Sequence, residues 1–364
     1  MKKKLLALAV AGAFVAPVAM ADTANVSIYG QANVSFDSTD NNPDGGSGSR
    51  ANKISSNGSR LGFKGSESLG GGTSAIWQIE TAVAIDNSGT TGQGLGTRDT
   101  YAGLKGESWG TLTLGRADNA YKGSTRRLDL FDETLADNRS LVGLMFDMRN
   151  PNSANYTTPN MSGFSIAATV LAGAENASVG GQTKGTGYAL AGMYDAGPVY
   201  ATLAYASVNP GSKTTGDLAV DNIPGAVVDQ RLSAWKLGAG YNVDQFGVTF
   251  VYERNRNDAA NNSDLKAWYL AGKFNISGSD AVKLAYARAK MDGGSDNTGK
   301  QVSVGYDHAM SKRTTVYALY TRLNNDRNAV YGLATNPDIE STGNVPVSAG
   351  ADPSAFSIGM KHTF

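Results

Sequence analysis

The sequence predicts an all-β fold, a 16-stranded antiparallel transmembrane β-barrel with one loop folded into its lumen. Three observations carry that expectation. Segments of about ten residues alternate apolar and polar side chains, the period of a strand whose two faces meet different surroundings. Seven short turns and eight longer loops interleave strictly along the chain, which gives an even strand number with both ends on one side. An export leader opens the chain, and no later apolar run approaches the roughly 18 residues of a membrane helix.

The leader comes first. Lys2, Lys3 and Lys4 precede the apolar run Leu5 to Val18, and Ala19-Met20-Ala21 supplies the small residues a signal peptidase needs. A retained anchor would require a longer apolar run. Residues 1–21 are therefore read as a cleaved signal peptide and residues 22–364 as one barrel domain. The chain has 32 Lys and Arg against 32 Asp and Glu, and the leader takes away three lysines and no acid. A balance so close to zero argues against a nucleic-acid partner. Cysteine is absent, which excludes thiolate catalysis, thiolate metal sites and disulfides together. With 45 glycines, 16 tyrosines and 18% charged residues, the composition suits strands joined by tight turns.

The first strand places Val26, Ile28, Gly30, Ala32, Val34 and Phe36 on one face and Ser27, Tyr29, Gln31, Asn33 and Ser35 on the other. A polar stretch from Asp37 to Asn57 reads as a loop, and Arg60 to Lys64 as the second strand, with Leu61 and Phe63 opposite Arg60, Gly62 and Lys64. Strands at about 73–85, 98–106 and 111–116 follow. The turns in Lys64-Gly-Ser-Glu-Ser-Leu-Gly70 and Lys105-Gly-Glu-Ser-Trp-Gly110 resemble each other, as one hairpin used twice. Beyond residue 149 the strands pair near 152–158 and 163–172, 185–195 and 198–208, 230–243 and 246–256, 264–276 and 280–290, and 299–310 and 313–324. Ser354 to Phe364 is the last.

A ten-residue strand rises roughly 33 Å and, tilted by about 45°, spans the apolar band of a membrane. A soluble sandwich would use shorter strands around a dry core. Sixteen strands make a cylinder too wide for side chains to fill, so the polar faces are expected to line water. Phe36, Phe63, Phe164, Tyr205, Phe246, Tyr252 and Phe356, near strand ends, are candidates for interfacial girdles. Thr315 to Leu323 can be faced either way, and Val251 and Ile76 fall on faces read as wet; packing in a homo-oligomer interface is one explanation.

Residues 117–149 form the one long segment without the two-residue period. Leu128, Phe131 and Leu135 fall at i, i+3 and i+7, which predicts a short helix with one apolar stripe. Asp118, Asp129, Asp132, Glu133 and Asp137 alternate there with Lys122, Arg126, Arg127 and Arg139. Loops of this length in compact domains are usually functional. The expectation is that it folds inward and narrows the barrel; the alternative is a solvated outer loop.

Several segments together resemble the Gram-negative general porins, in their betaproteobacterial and neisserial branch. They are Val26-Ser-Ile-Tyr-Gly-Gln31, Ser56-Asn-Gly-Ser-Arg-Leu-Gly-Phe-Lys-Gly65, Leu114-Gly-Arg116 and Phe356-Ser-Ile-Gly-Met-Lys-His-Thr-Phe364. The resemblance covers essentially the whole mature chain. It implies a homotrimer in the outer membrane of a Gram-negative bacterium, among lipid and lipopolysaccharide, inserted by the barrel-assembly machinery through the C-terminal strand ending at Phe364. It further implies passive diffusion of ions and small hydrophilic solutes past a third extracellular loop, which residues 117–149 match by position. Wall arginines oppose loop acids in this branch. Matched motif by motif, Arg60, Arg98 and Arg149 take the wall positions, and Pro151 beside Asn152 and Ser153 departs from the pattern after Arg149.

Charges on a wall and on a facing loop set a transverse field across a narrow passage, where an ion exchanges part of its hydration for those charges. The loop's own charges nearly cancel, so Arg60, Lys64, Arg98 and Arg149 predict a weak anion preference, opposed by Asp118, Asp129, Asp132 and Glu133. Enzyme chemistry is not expected. The only histidines are His308 and His362, too few to place a base beside a nucleophile at most sites, and Gly238-Ala-Gly240 lacks the third glycine of a dinucleotide loop. Asp40 to Gly45 lacks the glycine spacing and distal Glu of a calcium loop. No cofactor and no metal are anticipated. The competing readings are a substrate-specific outer-membrane channel and a surface adhesin on a barrel scaffold, using loops 173–185, 209–229 and 324–353. A sugar channel would want an aromatic ladder along the lumen, and the inward aromatics are scattered.

Overall fold

The computed structural model describes residues 25–42, 48–87, 94–172, 186–209, 231–257, 264–292, 295–335 and 340–364. The leader, the adhesin-type loops at 173–185 and 210–229 and half of the calcium-like segment, 43–45, lie outside the described residues.

β1 (Asn25–Asp40) pairs with β2 (Arg50–Ser56) along one half and with β3 (Arg60–Gly70) along the other. Between the pairs Val34 with Ser56 and Gln31 with Arg60, β1 advances three residues and its partner four. β2 and β3 are thus one crossing strand interrupted by a bulge, where Gly58 takes φ +63°. The alternation pattern alone places all of Asp37 to Asn57 in a loop, and the structure corrects this. Toward the outer rim both faces are wet, so the apolar–polar contrast fades while the hydrogen-bond ladder continues.

The chain continues through β4 (Thr73–Ala82), β5 (Thr100–Gly106), β6 (Gly110–Asp118), β7 (Arg149–Thr157), β8 (Phe164–Leu171), β9 (Thr186–Ala196), β10 (Val199–Asn209) and β11 (Leu232–Asn242). β12 (Phe246–Asn257), β13 (Leu265–Asn275), β14 (Asp280–Met291), β15 (Thr298–Ala309), β16 (Thr314–Asn325) and β17 (Ser354–Thr363) follow. Each pairs antiparallel with the next, and β17 returns to β1, so the 17-stranded sheet closes with sixteen crossings. Closure leaves no unpaired edge in lipid. The seam is finished by Gly30 and Phe364, whose backbones exchange hydrogen bonds of 3.0 and 3.1 Å.

The outward face is apolar and exposed, as at Val26, Ile28, Leu114, Leu203, Leu284 and Ile358, while Gln31, Asn33, Ser35 and Asp37 are buried inside. Lipid is the surrounding that accounts for such a surface. The seven aromatics named from sequence all share this outward parity, and the structure extends them into belts. Tyr188 contacts Tyr205, which pairs with Trp235; Trp235 contacts Tyr252, which pairs with Trp268; Trp268 contacts Tyr286. A second row, Tyr194, Tyr241, Phe246 and Phe274, lies six residues along the same strands, roughly 20 Å away.

The inner face departs from the expected uniform polarity. Along β10 to β14 it carries Ala204, Ala206, Ala234, Gly238, Gly240, Val251, Ala267, Ala271, Ala285 and Ala287. Val251 is buried on this lumenal face, within the same apolar cluster as the loop, so an oligomer contact is not what places it there. The ambiguity of β16 is resolved the same way: Tyr317, Leu319, Thr321 and Leu323 point inward.

A β-carbon on Gly30 would lie 2.6 Å from the Arg60 carbonyl and against the Phe364 ring. Gly30→Val is expected to cost about 1–3 kcal/mol by overpacking the seam. The check is the temperature at which the folded barrel is lost in SDS electrophoresis, which should fall.

Candidate pore constriction

The segment between β6 and β7 turns into the barrel. It opens with α1 (Ala120–Thr125), capped by the Asn119 side chain accepting from the Lys122 N–H at 2.8 Å. Short 3-10 turns cover Arg126–Leu128 and Asn138–Ser140. The helix predicted over Leu128 to Leu135 does not form, since Glu133 takes φ +57°, which ends a right-handed helix. The apolar spacing serves packing instead. Leu128 sits over Gly238 and Gly240, Phe131 over Gly305 and Leu141 over Gly299, where an added β-carbon would come within 2.6–3.0 Å. Leu128, Phe131, Leu135, Leu141, Met145 and Phe146 are at most 2% exposed, each contributing roughly 1.5–3 kcal/mol to docking.

Polar pins fix the orientation. Lys236 on β11 is wholly buried; it donates to Asp147 and to Thr125 Oγ1, lies 3.5 Å from Glu253 and sits 4.2 Å from the Tyr121 ring centre. The Tyr269 hydroxyl donates to Asp129 at 3.0 Å, and Tyr200 donates to the Ser124 carbonyl. The loop thus follows the wall from β9 round to β15 and reaches β1 through Gln31, which donates to Glu133 at 2.6 Å.

The remaining arc, β3 to β7, carries an alternating ladder of charge. Arg60 pairs with Glu133 and lies 3.9 Å from Glu80; Arg98 Nε donates to Glu80 at 2.6 Å. Glu340, from the connection between β16 and β17, accepts from Arg98 and, at 2.9 Å, from Arg149. Arg149 also contacts Asp99 at 2.7 Å and Asp118 at 3.1 Å, and Asp118 holds Lys122 at 2.8 Å. Lys361 joins at Glu133. Strand ends supply these positions: Arg60 starts β3 after the bulge, and Arg149 starts β7 ahead of Pro151.

Of the residues singled out from sequence, Arg60, Arg98, Arg149, Asp118 and Glu133 come together in this ladder. Lys64 faces the lumen but stands apart, 4.9 Å over the Tyr29 ring. Asp129 is turned into the loop, accepting from the Phe131 and Asn138 N–H groups. Burial, then the neighbouring Asp137 and Asp132, pushes its pKa above the usual carboxylate range. Asp132 pairs with Arg126 and Arg139 inside the loop. Asp129, Asp132 and Asp137 are close enough to hold a cation, but Arg126 and Arg139 already neutralise that cluster. Sequence reasoning missed Glu80, Asp99, Glu340 and Lys361. Glu80 sits on an inward strand position that alternation marks as wet; Glu340, 242 residues from Arg98, gives no local signal.

Known proteins share this architecture. Residues 7–328 match the family described as Gram-negative porin. Outer membrane porin protein 32 of Delftia acidovorans is 29% identical over 100% of both chains. Major outer membrane protein P.IB of Neisseria gonorrhoeae is 27% identical, covering 86% of this chain and 91% of that protein. Among solved structures, an anion-selective porin from Comamonas acidovorans superposes with a TM-score of 0.75 at 23% identity, over 94% of this chain and 100% of that one.

Replacing Lys236 by Met leaves Asp147 and Glu253 buried without their cation, a loss of about 3–5 kcal/mol. The loop is expected to undock while the barrel persists, seen as noisier and larger single-channel currents and protease cleavage within residues 119–148.

Proposed function

This chain belongs to the Gram-negative porin family, and on that premise we propose how it sorts the solutes that cross it. The protein is an outer-membrane channel for passive diffusion of ions and small hydrophilic solutes. Residues 117–149 act as its constricting third extracellular loop, and ions pass between that loop and the arc holding Arg60, Arg98 and Arg149, with a weak preference for anions.

The observation that carries this reading is the set of three guanidiniums on one wall, linked through shared carboxylates and facing a loop docked on the other. Arginine keeps its charge at any working pH, and its fork suits oxyanions. The carboxylates in the ladder roughly match the cations in number, so the preference is modest. Lys64 adds one positive charge along the same strand. The Comamonas acidovorans protein is described as an anion-selective porin, in keeping with this sign.

The working form we propose is a homotrimer of residues 22–364 after removal of residues 1–21. Each barrel sits in lipid and lipopolysaccharide, and the assembly machinery engages the last strand through Phe364. The apolar belt and the pairing of Phe364 with Gly30 support this arrangement. The reading is of a passage without enzymatic chemistry, since neither the ladder nor the loop offers a nucleophile activated by a base.

Reversal potentials in a potassium chloride gradient test the reading. The unmodified channel should favour chloride slightly. A unit charge about 5 Å from a hydrated ion is worth roughly 0.8 kcal/mol in water, with opposite sign for chloride and potassium, so Arg60→Gln should shift the permeability ratio at least about fourfold toward potassium. Strong cation preference in the unmodified channel would contradict the proposal.

A further inference from the structure

We propose that Glu340 is a tethered counter-anion: its carboxylate occupies an oxyanion subsite between Arg98 and Arg149, and small carboxylate solutes cross the constriction by exchanging with it. The proposal rests on the reading of the arginine ladder as the selectivity element and adds what limits its strength.

Glu340 differs in origin from the other acids of the ladder. Glu80 belongs to a wall strand, Asp99 immediately precedes one and Asp118 ends one, while Glu133 belongs to the docked loop. Glu340 arrives from the outer connection between β16 and β17, whose short segment is tied to the bulge between β2 and β3. The Gly58 N–H donates to the Glu340 carbonyl at 3.1 Å, the Thr342 N–H donates to the Ser56 carbonyl at 3.0 Å, and the Ser56 N–H donates to Thr342 Oγ1 at 2.8 Å. Ser341 donates to the Asn57 side chain at 2.6 Å, and Thr342 to Asp86 at 2.6 Å. These bonds set the backbone of Glu340 beside the bulge, at φ +54°, a left-handed conformation that a β-carbon disfavours.

The side chain then spans two guanidiniums, one oxygen to Arg98 and the other to Arg149 at 2.9 Å. A carboxylate between two arginine forks is the arrangement a passing carboxylate would itself adopt. Its side chain retains 13% exposure, so water reaches the subsite. While Glu340 is seated, two of the three wall arginines are partly neutralised. When it is displaced, the donor that each arginine gave it becomes available to a solute, while Arg98 keeps Glu80 and Arg149 keeps Asp99 and Asp118.

Glu340→Gln keeps the shape and removes the charge; Glu340→Asp keeps the charge. In planar bilayers with a potassium chloride gradient, Glu340→Gln is expected to raise the chloride-to-potassium permeability ratio about fourfold, with Glu340→Asp within twofold of the unmodified channel. Citrate should reduce the chloride current of Glu340→Gln at a concentration at least fivefold lower than in the unmodified channel. Heat-modifiability in SDS confirms that each variant is folded, and Glu340→Ala serves if Gln fails. An unchanged or lowered ratio in a folded Gln or Ala variant overturns the inference, provided Arg98→Gln and Arg149→Gln shift toward potassium. If those arginine variants are also silent, the reading of the ladder falls, and this inference with it.

Discussion

The arrangement depends on one contact: the apolar side of an inserted loop lying on a stretch of barrel wall that has been emptied to receive it. A barrel of this width has no core of its own, and its interior would otherwise be water over polar strands. Here β10 to β15 give up side-chain volume on their inner face, and the loop supplies it. Gly238, Gly240, Gly299 and Gly305 leave the hollows that Leu128, Leu141 and Phe131 enter. The result is an off-centre core between loop and wall, with Lys236 buried at one end to fix the register of docking.

From that asymmetry the rest of the lumen follows. One arc is covered and largely apolar; the other, β3 to β7, carries charges paired with one another, with Arg60, Asp99 and Asp118 partly open and Arg98 and Arg149 buried. A ladder of alternating guanidinium and carboxylate groups is a low-cost way to hold several charges near one another, because each is partnered while its field still reaches the passage. The outer wall obeys a separate constraint. Lipid demands apolar residues there at every second position, with aromatic rings where the bilayer meets water, and those demands leave the inner face free to vary.

That freedom explains which features were legible from the sequence. Alternation over residues 26–36 of β1 assigns each residue to the side on which it is found, because both faces meet contrasting surroundings. It puts Val251 on the inward side where it is found but gives no reason for an apolar residue there, and it leaves β16 open, because inward residues at both places meet the loop or other protein atoms; it fades over 37–57, where both faces are wet. The inward course of residues 117–149 was suggested by length and position. The helix placed at Leu128 to Leu135 was not found, since the same spacing fills hollows in a wall. Arg60, Arg98 and Arg149 were located through motif resemblance, whereas Glu80 and Glu340 reach them only through tertiary contact. Asp129 and Asp132, grouped with the other acids by charge alone, are used inside the loop.

The most direct measurement is a disulfide test in a chain that has no cysteine of its own. Cysteines introduced by Leu128→Cys and Gly238→Cys are placed to join loop to wall across the hollow that Leu128 now fills. The account predicts that mild oxidation of the assembled protein in membranes links them, leaving single-channel conductance close to that of the reduced form. Failure to link, or a conductance that collapses once linked, would show that the loop does not rest on this wall in the working channel.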